Sequence, residues 1–118
     1  MSMKTIVFAA SKGGVGKTTL CAALSSYASM ASKKKIAIID LDPQGSLITW
    51  WNQREAASPE LIEANAGNLA ETLKRAEATG YDYVFVDTPP GHMNTIEAGI
   101  ENASYVLVPC QPSPVDIA

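Results

Sequence analysis

The chain has 118 residues, enough for one buried core and too few for two independent domains. Apolar residues make up 47% and charged residues 18%, with no low-complexity tract and no apolar run near membrane-spanning length. That balance excludes a disordered tail and a helical membrane span and leads us to expect a soluble, cytoplasmic protein.

The first element is the apolar run Thr5–Ala10, short enough to be a strand buried on both faces; it leads straight into glycines, as a signal peptide would not. Residues Lys17–Ala31 read as a helix of small residues with Leu20, Leu24 and Tyr27 on one face, and Lys35–Asp40 as a second strand. A helix over roughly Ser46–Ala56, a short extra strand within Leu61–Ala64, and a helix over Leu69–Thr79 stopped by Gly80 follow. Strand Tyr83–Asp87, helix Thr95–Asn102 and strand Tyr105–Pro109 close the pattern, and the prolines of Pro109–Asp116 stiffen the last segment. Strand and helix alternate throughout. The expected fold is therefore one α/β domain over residues 1–118, with a mostly parallel sheet covered by helices on both faces and ligands at the carboxyl ends of its strands.

The chemistry-bearing residues collect at those ends. After the first strand comes Ser11-Lys-Gly-Gly-Val-Gly-Lys-Thr-Thr19, and glycines between a strand and a helix leave a row of backbone N–H groups facing one concavity, with the positive end of the helix dipole behind it. An anion fits there. Gly16-Lys17-Thr18 adds an ammonium for β- and γ-phosphates and a hydroxyl for Mg²⁺, although Ser11 stands where the strict P-loop pattern has its first glycine. The charge distribution suits an anionic ligand: residues 1–39 carry Lys4, Lys12, Lys17, Lys33, Lys34 and Lys35 and no acid, whereas residues 40–118 carry all twelve acidic groups. Lys33–Lys35 equally suit a helix C-terminus, whose dipole they complement.

The second strand ends in Asp40-Leu-Asp42-Pro-Gln-Gly-Ser46. Carboxylates at i and i+2 point the same way and suit a Mg²⁺ shell or a water aimed at a γ-phosphate; the same residues also make an ordinary turn, with Ser46 capping the next helix. The third strand ends in Asp87-Thr-Pro-Pro-Gly91, where an aspartate suits Mg²⁺ and the Gly91 N–H a γ-phosphate, or where Asp87 is a plain cap. His92 reads as a surface-loop imidazole, one of Trp50 and Trp51 as a core residue, and Cys21 and Cys110 as buried thiols without metal or redox spacing.

Lys-Gly-Gly-Val-Gly-Lys-Thr-Thr, Asp-Leu-Asp-Pro-Gln-Gly-Ser, Val-Asp-Thr-Pro-Pro-Gly and Pro-Ser-Pro-Val-Asp, in that order from Met3 to the last residue, resemble the ParA family of deviant Walker P-loop ATPases, in its small plasmid-type form. The resemblance implies an ATP- and Mg²⁺-dependent ATPase for plasmid or chromosome segregation. It implies that Gly13, Gly14, Val15, Gly16, Lys17, Thr18 and Thr19 bind nucleotide, Lys17 at the β- and γ-phosphates and Thr19 at the α-phosphate. Thr18, Asp40 and Asp87 would serve the metal, and Asp42 the attacking water. Lys12 would reach the phosphates of ATP in a partner subunit, so a homodimer formed on ATP binding is expected. Further implied are a centromere-bound ParB-type partner, nonspecific DNA binding through regions absent from this chain, a nucleoid-associated state when DNA-bound, and no membrane partner. Family members continue past the segment matching Pro112–Ala118, so the C-terminal part of the fold is expected to be missing and the sheet edge it would cover exposed. A MinD-like membrane-cycling ATPase and a truncated non-catalytic interaction module are the alternative readings, and the Asp-Pro-Gln-Gly-Ser run favours partition.

Overall fold

The computed structural model describes residues 3–9, 17–42, 45–54 and 58–108. Strands β1 (Lys4–Phe8), β2 (Ile36–Asp40), β3 (Glu60–Leu61), β4 (Tyr83–Asp87) and β5 (Tyr105–Leu107) form one sheet in the order β3-β2-β4-β1-β5. Every pairing is parallel. The connecting helices are α1 (Lys17–Ala31), α2 (Ser46–Asn52), α3 (Leu69–Thr79) and α4 (Met93–Glu101).

Period-two alternation divides the strands between two cores. Phe8, Ile36, Ile38 and Phe85 face α1 and α2 and meet Cys21, Ala22 and Leu47 there. Val7, Ala37, Ile39, Val84 and Val86 face the other way and meet Leu69, Leu73 and Ala76 of α3. Phe8 and Phe85 stack with ring centroids 6.1 Å apart, which joins β1 and β4 on the α1 side. On the opposite side α4 approaches so closely that a Cβ on Gly99 would lie 3.0 Å from Val7 Cγ1 and 3.2 Å from Thr88 Cγ2. Only glycine leaves that space.

The register levels the strand ends that matter. Phe8 and Asp40 are both Cα partners of Asp87, so β1, β2 and β4 finish side by side. Whatever follows each strand therefore starts from one line.

Several expectations are refined. The limits of α1, α3 and β4 coincide with the sequence reading, whereas β3 begins one residue early and spans two residues, and α4 begins at Met93. The face assigned to α1 is corrected: Tyr27 is 70% exposed, Leu20 and Leu24 are half-buried, and the buried positions are Lys17, Cys21, Ala22 and Ser25. Small residues let α1 lie close against the sheet, and Tyr27 falls outside that narrow seam. β5 is not buried on both faces, because it is the end strand of the order and its Tyr105, Val106 and Leu107 remain exposed. Both tryptophans pack partly against the α1-side core, Trp51 through an indole N–H donated to the Pro59 carbonyl at 2.6 Å and Trp50 beneath the Arg54 guanidinium. His92 is an exposed residue at the start of α4. Cys110 and the segment Pro109–Asp116 lie outside the described residues.

Two features give predictions. Gly80 ends α3 at φ 104°, donating its N–H to the Ala76 and Glu77 carbonyls, a left-handed position that charges a Cβ-bearing residue roughly 1–2 kcal/mol. Gly80→Ala should lower unfolding free energy by about that amount in a urea melt. Tyr81, only 9% exposed, donates its phenol to Glu60. Burial first, then that hydrogen bond and the Glu60 charge, push its pKa from 10.0 to about 12. The folded state thus holds the phenolic proton more tightly than the unfolded chain does. Stability from this group is complete below pH 10 and is lost as pH rises towards about 12. Tyr81→Phe should remove that alkaline loss, read as unfolding free energy between those pH values.

Candidate functional site

The site is built where α1 begins. Lys17 is its first residue, and a cation there opposes the positive end of the helix dipole unless an anion compensates it. Asp87, at the end of β4, is that anion. The Lys17 ammonium contacts Asp87 Oδ1, and the Thr18 hydroxyl donates to Asp87 Oδ2 at 2.7 Å. Lys17 and Asp87 are 1% and 0% exposed, so this is an ion pair withdrawn from water, of the kind whose disruption by removal of one partner costs about 3–5 kcal/mol. Thr19, one residue on, is exposed.

Asp40 stands beside the pair, as its register with Asp87 requires. Its Oδ1 accepts the Asp42 N–H at 3.0 Å, and its Oδ2 accepts the Leu47 and Ile48 N–H groups at 3.1 and 3.2 Å. The carboxylate thereby closes the loop from β2 to α2 and caps α2 from outside it. Burial raises the Asp40 pKa, the backbone donors oppose that shift, and the charges of Asp87 and Asp42 add to it. Gly45, at φ 68°, makes the turn inside the loop with its N–H on the Asp42 carbonyl at 2.9 Å. No cap bond comes from Gly45, which is the N-cap residue.

Two residues have roles that sequence reasoning missed. Thr88 donates both its N–H, at 3.2 Å, and its hydroxyl, at 2.6 Å, to the Phe8 carbonyl, fastening the end of β1 to the end of β4 just before the glycine loop. A threonine following a strand aspartate gives no local sign of a bond to a residue so distant in sequence. Asp40 as a helix cap was equally hidden, because caps are sought next to the helix. Cys21 lies one turn beyond Lys17, fully buried, and burial followed by the Asp87 charge raises its pKa, so the thiol stays protonated and inert. Gly91, at φ 78°, is exposed in the turn before α4. Lys12, Gly13, Gly14, Val15 and Gly16 lie outside the described residues, as do Pro43 and Gln44.

The donor set limits the cation that fits. Thr18 and Asp87 offer hard oxygens, and among the described residues no group of three or more His, Cys, Asp or Glu side chains is placed to hold a metal alone. Those two hard oxygens fit a Mg²⁺ ion, which takes one or two protein oxygens and completes its shell with water and phosphate. No helix among the described residues is long and apolar enough to cross a membrane.

The topology and the level strand ends define a P-loop-type α/β nucleotide-binding fold. Residues 6–102 match the model of the CobQ/CobB/MinD/ParA nucleotide binding domain, and the chain belongs to that family. It is 38% identical over 110 residues to "Maintenance of carboxysome distribution protein A" of Gloeobacter kilaueensis, covering 91% of this chain and 49% of that protein. It is 32% identical over 119 residues to "Protein ParA" of Rhizobium radiobacter, covering 97% of this chain and 51% of that protein. Among solved structures, an ATP complex of Cyanothece McdA superposes with a TM-score of 0.76 at 24% identity, covering 96% of this chain and 58% of the other. The chain spans about half the length of these curated relatives.

The Asp40 clasp gives a prediction. Asp40→Ala leaves the Leu47 and Ile48 N–H groups without their acceptor, comparable to a lost helix cap at about 1 kcal/mol. Amide exchange at Leu47 and Ile48 should quicken relative to residues in α3, and unchanged protection there would contradict the assignment.

Proposed function

We propose that this chain is the nucleotide-binding part of a cargo-partitioning ATPase that binds ATP with Mg²⁺. The observation that carries the reading is the pairing of Lys17 and Thr18 with Asp87 at the line where β1, β2 and β4 end. A cation and a hydroxyl opening a helix, with a buried carboxylate against them, make a polyphosphate and metal site and serve no evident purpose in packing. The family match and the relatives named for partition and for carboxysome distribution support the same reading.

In it Lys17 holds the β- and γ-phosphates, Thr19 the α-phosphate, and Gly13, Gly14, Val15 and Gly16 offer backbone N–H groups. Thr18 and Asp87 hold the cation side. Mg²⁺, when bound, neutralises phosphate charge and orients the γ-phosphate for in-line attack. Asp40, with both oxygens already accepting backbone N–H groups, acts on the metal shell through water and chiefly holds the loop that carries Asp42. Asp42 orients the water that displaces ADP from the γ-phosphate. Lys12 supplies its ammonium to nucleotide in a second copy, which couples ATP binding to homodimer formation. A ParB-type partner bound at a centromere stimulates turnover, and nonspecific DNA is held by parts of the protein beyond this chain.

Lys17→Ala should weaken Mg-ATP binding at least about tenfold by calorimetry, because each hydrogen bond to a charged group is worth about 1.5–3 kcal/mol and 1.4 kcal/mol is tenfold. A thermal melt of the variant separates that loss from unfolding. Lys12→Ala should abolish ATP-dependent dimerisation in light scattering while leaving monomeric ATP binding within about threefold, the difference of under 1 kcal/mol expected when a group acts on the partner's site. Equal loss of both would contradict the role of Lys12 in trans.

A further inference from the structure

The Phe8 carbonyl takes one more hydrogen bond than the sheet requires. In a parallel ladder the Thr88 N–H is its ordinary partner, and that bond is long at 3.2 Å, whereas the Thr88 hydroxyl donates to the same oxygen at 2.6 Å. The N–H of the same peptide unit, that of Ala9, donates to the Leu107 carbonyl of β5 at 3.0 Å. The peptide joining Phe8 to Ala9 is thus held at both ends, and from it the chain enters the glycine segment. We infer that Thr88 is a positioning residue for nucleotide binding: its hydroxyl fixes the orientation of the peptide leaving β1, and with it the direction in which the chain enters residues 11–19. The inference rests on the nucleotide-binding reading above and deepens it.

Packing does not account for the hydroxyl. Thr88 is fully buried, and its methyl lies against α4 at Gly99, where a Cβ would come within 3.2 Å of it. Valine has nearly the same shape, would fill that space, and brings no polar group that must be satisfied. A threonine there is explained by what its oxygen holds. The contact of the methyl with Gly99, together with the stiff χ1 of a β-branched side chain, keeps the hydroxyl aimed at Phe8. Anion binding by backbone N–H groups demands such control, because the donors work as a set and have to stand within about 0.5 Å of their places. Thr88 acts through Phe8 and not on the phosphates themselves.

The test is the Mg-ATP affinity of the full 118-residue chain by calorimetry, for wild type, Thr88→Val, Thr88→Ser and, as a control for stability lost at a distance, Gly80→Ala, all well below their melting temperatures. Thr88→Val removes the hydroxyl and keeps the methyl, so affinity should fall about three- to tenfold, the effect of one hydrogen bond. Thr88→Ser restores the hydroxyl and should stay within about twofold of wild type, as should Gly80→Ala. Thr88→Val within about twofold of wild type, or a loss in Thr88→Ser or Gly80→Ala equal to that in Thr88→Val, overturns the inference. If Thr88→Val does not fold, a crystal structure of wild type with Mg²⁺ and a non-hydrolysable ATP analogue decides: the inference requires the Thr88 hydroxyl to stay on the Phe8 carbonyl, and a hydroxyl turned away from it overturns the inference. Absence of Mg-ATP binding by folded wild type overturns instead the nucleotide-binding reading, and this inference with it.

Discussion

The buried pair between Lys17 and Asp87 is the interaction on which the rest of the site depends. A lysine opening a helix faces the positive end of the helix dipole, and burying it adds the cost of lost hydration; neither is sustainable without an anion in contact. Asp87 supplies the anion, and the Thr18 hydroxyl satisfies its second oxygen. Charged groups so placed contribute little net stability compared with an apolar pair of the same volume, whereas separating them is expensive. Such an arrangement is better suited to recognising a charged ligand than to holding a fold together. The small residues of α1 then follow as a requirement, because Cys21, Ala22 and Ser25 let the helix lie near enough to the sheet for its first residue to reach the end of β4.

The sheet provides the second constraint. With Phe8, Asp40 and Asp87 in register, the three loops leaving β1, β2 and β4 share one origin, and side chains from different parts of the chain meet without long reaches. Thr88 and Asp40 keep that origin fixed. Thr88 fastens β1 to β4 through the Phe8 carbonyl, and Asp40 gathers the β2 loop onto the first turn of α2. Gly99 allows α4 to press against Val7 and Thr88 from the other face, so the Thr88 bond is backed by close packing.

How much of this could be read in the sequence depended on whether the signal was local. β4 and α1 are bounded by abrupt changes, from apolar run to Asp87 and from glycines to Lys17, and α3 by the left-handed Gly80; their limits could be read directly. The collection of Asp40 and Asp87 at neighbouring strand ends could also be read, since parallel sheets bring the ends of their strands to one side. The buried seam of α1 could not, because it is set by how near the helix lies to the sheet, and hydrophobicity favoured Tyr27 over Ser25. The exposure of β5 depends on strand order, which the run Tyr105–Leu107 does not encode. The carboxylate partners of Asp40 and the bond from Thr88 to Phe8 are tertiary, joining residues whose own neighbours give no hint of them.

The central claim is that the end of β4 and the start of α1 form a Mg-nucleotide site whose resting state is the Lys17–Asp87 pair. A crystal structure of the chain with Mg²⁺ and a non-hydrolysable ATP analogue tests it most directly. The account predicts Lys17 Nζ within hydrogen-bonding distance of the phosphates, Thr18 and Asp87 on the cation side, and the direct Lys17–Asp87 contact broken. A complex in which nucleotide binds elsewhere, or binds here with that ion pair intact, would contradict it.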